Sequence, residues 1–424
     1  MQTLDKIPSE LLFSINALAA DWVGLESLMQ VSPPIGGLYA GDANTAADPE
    51  AIRLIESILG ENPIMRHELH CLFRMALKLR QPCLVDTSLA EFIARDHSSS
   101  FMETPSSISS AVLKEMVIVA ANIQRLACAC LTTLLTCVRK VKPRRWKGIR
   151  EPSLLKNQEP TEPYQPRDAG PPSWIEEYRV YRALWRLQLY SDLSIAGARL
   201  NWPHSDLENW RIESTDWNSV PPVMREELRT ISECLETLCE VDPILRTTKS
   251  QVTSTNDGIH LISQLPNASR LRCKFDTWAP PSPPTIPDYE EGIPMDFWGQ
   301  GLVSIRWNRM AGCFRACQVR TKTYPARHQV CRIQDARPWR GLGMPIWDLW
   351  RLYCLGLWSA NYPFAGRHPG PIPTPDGSEV PKGCSPFASG SEIDYRVSVF
   401  MQAWMQIENQ ECEQRVAEER SVRE

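Results

Sequence analysis

Apolar side chains recur every three to four residues along much of the chain, the period of helices that bury one face. Leu4, Leu11, Leu12, Ile15 and Leu18 mark a first short segment, and Pro8 sits where a helix start tolerates a missing amide. Leu25 and Leu28 mark a second segment, which Pro33-Pro34 and Gly36-Gly37 are expected to end before a polar stretch runs on to about Asp48. Residues 49–141 read as helical throughout. Ile52, Ile55 and Leu59 form one stripe, and Leu69, Leu72, Phe73, Ala76 and Leu79 form another. A long helix is expected over 110–139, apolar on most faces and therefore buried.

Residues 142–172 carry Pro143, Pro152, Pro160, Pro163, Pro166, Pro171 and Pro172, so no regular element is expected there. Directly afterwards, Ser173-Trp174-Ile175-Glu176 is a capping-box pattern that starts a helix. Trp174, Tyr178, Tyr181 and Trp185 fall on one of its faces, and Arg179, Arg182 and Arg186 on another. A further helix after Pro221-Pro222 carries Met224, Leu228, Ile231, Leu235 and Leu238. Beyond a second proline-rich break at 279–294, Ile346, Leu349, Trp350, Tyr353, Leu357 and Trp358 predict an aromatic-rich helix. A third loop, 363–386, precedes a final helix from about Ser391, and residues 305–318 could form a strand pair. The expected fold is mainly α: a short N-terminal helical unit, then an irregular multi-helix body with long Pro-rich loops. Its parts are residues 1–35, a helical region 48–141, a basic and Pro-rich linker 142–172, and a Trp-rich, mostly helical region 173–424.

Composition adds limits. The 35 prolines in 424 residues exceed the roughly 5% share usual in proteins. Their clustering makes them joints between helical blocks. All of the 15 tryptophans except Trp22 and Trp146 follow the first long break. A net charge of −4 gives no general attraction to nucleic acid or to an anionic membrane. The longest uncharged apolar piece, 126–138, is short for a bilayer span, so no membrane association is expected. The opening Met1-Gln2-Thr3-Leu4-Asp5-Lys6 lacks the basic start and apolar run of a signal peptide, so the 14 cysteines read as reduced thiols. The expected location is the cytoplasm, the nucleus or both.

Signatures of catalysis are missing from the sequence. It contains no G-x-G-x-x-G, no G-x-x-x-x-G-K-[ST] and no G-x-S-x-G, and Gly341-Leu342-Gly343 stands alone. Cys128 and Cys130 lie two apart in an apolar helix and point in different directions, and Cys313 and Cys317 lack a second pair for zinc. His67 and His70 flank Glu68 at one residue short of a zinc-protease spacing, so they read as surface or packed histidines. The expectation is a non-enzyme without metal or cofactor. The basic run Arg139 to Arg150 reads first as a solvated linker at a helix C-terminus and second, through Arg144, Arg145 and Lys147, as a nuclear-import signal. With Trp146 as its only aromatic, it is not an expected nucleic-acid site. Trp202, Trp210 and Trp217 lie among Asp206, Glu213 and Asp216, and read either as a pocket for a protein partner or as the roof of a core.

One stretch has a specific likeness. Leu4-Asp5-Lys6-Ile7-Pro8-Ser9-Glu10-Leu11-Leu12-Phe13-Ser14-Ile15 resembles the opening of an F-box, with Ile15 and Leu18 at the family's later apolar positions. Leu25-x-x-Leu28-x-x-Val31-Ser32 resembles its second helix, and the longer layout is similar to F-box-like proteins of filamentous fungi. The resemblance implies a non-catalytic substrate-recognition subunit that docks a Skp-type adaptor of a cullin-RING ubiquitin ligase and captures an unidentified protein target. Its adaptor-binding residues would be Leu4, Ile7, Pro8, Leu11, Leu12, Ile15, Leu18, Leu25 and Leu28. Burying one such side chain is worth about 1.5–3 kcal/mol, so a handful supports a stable contact. The alternative is a helical scaffold or nuclear interaction protein that has lost adaptor binding, its apolar stripe packed on the chain's own helices.

Overall fold

Asp21 opens the N-terminal helical pair by accepting the Val23 amide at 3.1 Å on its carboxylate, the usual service of an N-cap aspartate. The computed structural model describes residues 11, 14, 20–82, 88–94, 108–140, 144–146, 161–163, 165–166, 168–203, 205–207, 223–241, 252–254, 260–262, 265–268 and 337–355. In chain order its elements are α1 (Trp22–Val31), α2 (Pro33–Leu38), α3 (Pro49–Glu61), α4 (His70–Arg80), α5 (Leu89–Ala94), α6 (Ser110–Lys140), β1 (Arg144–Trp146), β2 (Thr161–Pro163), α7 (Trp174–Leu200), α8 (Val223–Val241), β3 (Val252–Ser254), β4 (His260–Ile262), α9 (Arg337–Gly341) and α10 (Leu349–Cys354). A π-type turn, Met65–Leu69, leads into α4. The fold is mainly α, as the spacing of apolar residues predicts.

Two elements differ from expectation. Pro33-Pro34-Ile35-Gly36-Gly37-Leu38 forms α2 rather than ending the unit. The prolines occupy the first two helical positions, where their missing amides leave no bond unmade, and Ile35 supplies a fully buried anchor. In the proline-rich stretch, β1 and β2 pair antiparallel, Arg144 opposite Pro163 and Trp146 opposite Thr161. Pro163 is the last residue of its strand, a position that tolerates a missing donor. β3 and β4 make a second small antiparallel ribbon.

The chain divides into two units: residues 1–135 with 172–292, and residues 136–171 with 293–424. The first is built around α7. The Glu176 carboxylate accepts the Ser173 amide at 2.9 Å, fixing the helix start that the capping pattern signals. Asn201, in left-handed conformation (φ 54°), ends it. Helix α4 packs along α7, and α8 crosses on another side, so most of α7 is enclosed. Phe73 of α4 stacks on Trp22 of α1 (ring centroids 5.3 Å apart) and meets Trp185 of α7 obliquely at 5.6 Å. That aromatic column joins three helices.

α6 is long and apolar enough to cross a bilayer, yet 67% of its most apolar stretch is buried inside this fold. Met116, Val117, Ala121, Ile123, Leu126 and Cys130 are all fully enclosed. Polar contacts fix its register. Asn122 donates to the Pro266 carbonyl at 3.0 Å and accepts the Ala268 amide at 2.6 Å. Arg80 at the end of α4 reaches Asp192 of α7 at 2.6 Å and Glu115 of α6, and Arg199 of α7 donates to the Leu79 carbonyl at 2.8 Å.

In the second unit, α9 and α10 are joined by a turn through Gly343 (φ 73°), which gives Gly341-Leu342-Gly343 a structural use. The Trp347 indole donates to the Leu342 carbonyl at 2.7 Å, and the Arg351 guanidinium lies over the Trp347 ring at 5.1 Å. Arg351 also donates to the carbonyls of Gly170 (3.2 Å) and Pro171 (2.8 Å). Of the expected aromatic stripe, Ile346 lies in the turn and 349–354 in helix. Leu357 and Trp358, the 305–318 pair and the helix from Ser391 lie outside the described residues.

Candidate functional site

In the F-box-like motif, Leu11 and Ser14 lie in helical backbone and both are exposed, Leu11 at 55%. Leu4, Ile7, Pro8, Leu12, Ile15 and Leu18 lie outside the described residues. Leu28 is half-buried, whereas Leu25 has no exposed surface. The reason lies in how α1 is held. The Gln124 amide of α6 accepts the Trp22 backbone N–H at 3.0 Å and donates to the Asp21 carboxylate. Asn62 donates to the Ala20 carbonyl at 2.8 Å, and Arg125 pairs with Glu26. The second helix of the motif is thus seated in the chain's own core, and Leu25 serves that core. Among the described apolar residues of this motif, Leu11 and Val31 are exposed and Leu28 is half-buried.

The other sequence candidates are dispersed. Trp202 is buried, its ring tilted against Phe92 of α5 at 5.9 Å, which makes it a roof over the core. Trp210 and Trp217 lie outside the described residues. Arg144 and Arg145 belong to the backbone of β1, and Lys147 lies outside the described residues. Upstream, Arg139 pairs with Asp168 at 3.3 Å on an exposed surface. The Asp168 carboxyl is held below its ordinary range, first by the Gly170 amide and then by Arg139.

Two polar assemblies were not anticipated from sequence. The first is an ionic seam inside the fold. The Glu227 Oε2 of α8 accepts from Arg182 Nη2 at 2.6 Å and Nε at 3.2 Å, while Oε1 faces Arg179 Nε at 3.7 Å. Arg182 also covers the Tyr178 ring at 5.3 Å, and Trp174 stacks on that ring from the next turn. Nearby Glu177 is 8% exposed, and its Oε2 has no hydrogen-bond partner. Burial first, and the Glu176 charge second, push the Glu177 carboxyl up to about 8. With every member enclosed, the seam's role is to fix helix pairing. The spacing of Arg179, Arg182 and Arg186 on one helix and Glu226-Glu227 on another carries the charge pattern, but not the pairing.

The second assembly is the π-type turn before α4. His67 leaves helical geometry (φ −101°, ψ 79°), and Glu68 adopts φ 71°, a left-handed conformation that costs a non-glycine residue about 1–2 kcal/mol. The turn aims the two histidines apart. His67 meets the Trp174 ring edge-on at 5.1 Å, while Arg66 Nε donates to its Nε2 at 3.2 Å. Burial, aided by Arg66, holds the His67 imidazole below its ordinary value. His70 turns the other way. Its Nδ1 lies 3.2 Å from the Met65 carbonyl and its Nε2 3.4 Å from the Cys71 sulfur. The histidines are thus a packed residue and a thiol partner. Among the described residues no three His, Cys, Asp or Glu side chains gather as a metal site.

No protein-family model, no curated protein and no solved structure matches the chain.

Proposed function

We propose that the chain is a non-catalytic, F-box-like substrate-recognition subunit that docks a Skp-type adaptor through its first segment, Leu4, Ile7, Pro8, Leu11, Leu12, Ile15 and Leu18. The observation that carries this reading is Leu11. Leu11, in helical backbone, is 55% exposed, so its apolar side chain is accessible to a partner. The half-buried Leu28 can extend that contact at its rim, whereas Leu25 belongs to the interior. The Trp-rich region from Ser173 onward would then recognise the protein target.

The competing reading, a helical scaffold or nuclear interaction protein without adaptor binding, draws on the burial of Leu25 in the body. Co-purification of the full chain with a Skp-type adaptor separates the two. On the docking reading wild type retains the adaptor, and Leu11→Asp weakens binding at least about tenfold, the loss of roughly one buried leucine. Because Leu11 is exposed, the substitution leaves the helical circular dichroism spectrum unchanged. Failure of wild type to retain the adaptor, or full retention by Leu11→Asp together with Ile15→Asp, rejects docking.

A further inference from the structure

Cys71 combines three features that raise a thiol's reactivity. It is the second residue of α4, an 11-residue helix, and the positive end of a helix dipole favours a thiolate. It is half-buried rather than enclosed. Its sulfur lies 3.4 Å from His70 Nε2. The direction of that hydrogen bond follows from the other side of the ring. A carbonyl oxygen only accepts, so at 3.2 Å from the Met65 oxygen Nδ1 carries the proton. In the neutral ring Nε2 is then a bare acceptor aimed at the thiol, with the Met65 carbonyl fixing the tautomer. Nucleophile, base and orienting group stand in the order that activates cysteines generally.

The chain carries its own comparators. Cys128, Cys130, Cys234 and Cys354 are buried. Cys137 and Cys239 are half-buried like Cys71, but they sit near the C-terminal ends of α6 and α8, where the dipole opposes a thiolate.

We propose that Cys71 is a His70-activated thiol and, among the described cysteines, the preferred site for S-thiolation by a low-molecular-weight disulfide. The Cys71 proton passes to His70 Nε2 as the sulfur attacks one sulfur of the disulfide. The Cys71–sulfur bond forms as the S–S bond breaks, and the departing thiolate takes the proton from His70. Cys71 is oxidised to a mixed disulfide, and one half of the reagent is released as a thiol. This site is independent of adaptor docking.

The test treats the folded, reduced full chain with glutathione disulfide at neutral pH and follows each cysteine by peptide mass mapping. Cys71 gains the glutathione adduct at least about fivefold faster than Cys137 or Cys239. In His70→Gln its rate falls to theirs, while their rates stay unchanged. Wild-type modification of Cys71 no faster than Cys137 and Cys239 overturns the proposal without any variant. So does an unchanged Cys71 rate in a His70→Gln protein with wild-type circular dichroism. If His70→Gln does not fold, the wild-type ranking decides.

Discussion

Arg182 reaches Glu227 across the α7–α8 interface with two nitrogens on one carboxylate oxygen, at 2.6 and 3.2 Å, and both side chains are almost wholly enclosed. Glu227 also faces Arg179 with its other oxygen. Removing that anion takes from two buried guanidinium groups the carboxylate they share.

Glu227→Gln is therefore expected to cost about 3–5 kcal/mol, the range for breaking a buried ion pair from one side. A built-in contrast is Glu115, which pairs with Arg80 but is 58% exposed, so Glu115→Gln should cost under about 1 kcal/mol. Urea unfolding of the full chain, followed by tryptophan fluorescence, measures both. Equal losses for the two variants would show that the seam does not hold α8 on α7.

Glu177 makes stability depend on pH in the direction opposite to a salt-bridged carboxylate. Its folded-state value, about 8, lies above the ordinary 4.5, because burial first and Glu176 second disfavour the charge. The folded chain therefore holds a proton that the unfolded chain has released. Its contribution is complete below about pH 4.5 and is lost as pH rises toward and through 8. Glu177→Gln keeps a neutral side chain of the same shape at every pH. Relative to wild type, its thermal midpoint should climb steadily between pH 5 and pH 8, ending above wild type on the alkaline side. Parallel curves across that range would mean that Glu177 is ionised in the fold.

What could be read from the sequence was what neighbouring residues settle among themselves. The start of α7 was legible because Glu176, which caps the Ser173 amide, lies within one turn of it, and α6 announces itself through apolar positions on most of its faces. The facing of Arg182 and Glu227 was not legible, because 45 residues separate them and the pairing depends on how α8 crosses α7. Leu25 shows the same limit at the candidate docking face. Its spacing fits the F-box pattern, but Gln124 and Phe73, far along the chain, decide that its helix is seated inward. His70 and Cys71 are adjacent in the sequence, but adjacency alone does not bring an imidazole nitrogen to a thiol. Only the left-handed Glu68 turns His70 back toward Met65 and the thiol.

Gly36 and Gly37 look equivalent in sequence, and the structure separates them. Helix α2 starts directly against the end of α1, with the Gly36 amide donating to the Ser32 carbonyl at 2.8 Å. A methyl at Gly36 would lie 2.7 Å from the Met29 carbonyl oxygen, a backbone atom that cannot rotate aside. Gly37 has nothing within 4 Å of the same position. Gly36→Ala is thus expected to destabilise by about 1–3 kcal/mol, the usual cost of forcing extra volume into a packed site. Gly37→Ala should stabilise by about 0.5–1 kcal/mol through lost backbone freedom in the unfolded chain. Thermal midpoints give the two signs. Hydrogen exchange should place the Gly36→Ala loss at the amides of α1 and α2, because Met29 and Gly36 join those two helices. A Gly36→Ala protein as stable as Gly37→Ala would mean that the α1–α2 approach is looser than the packing shown here.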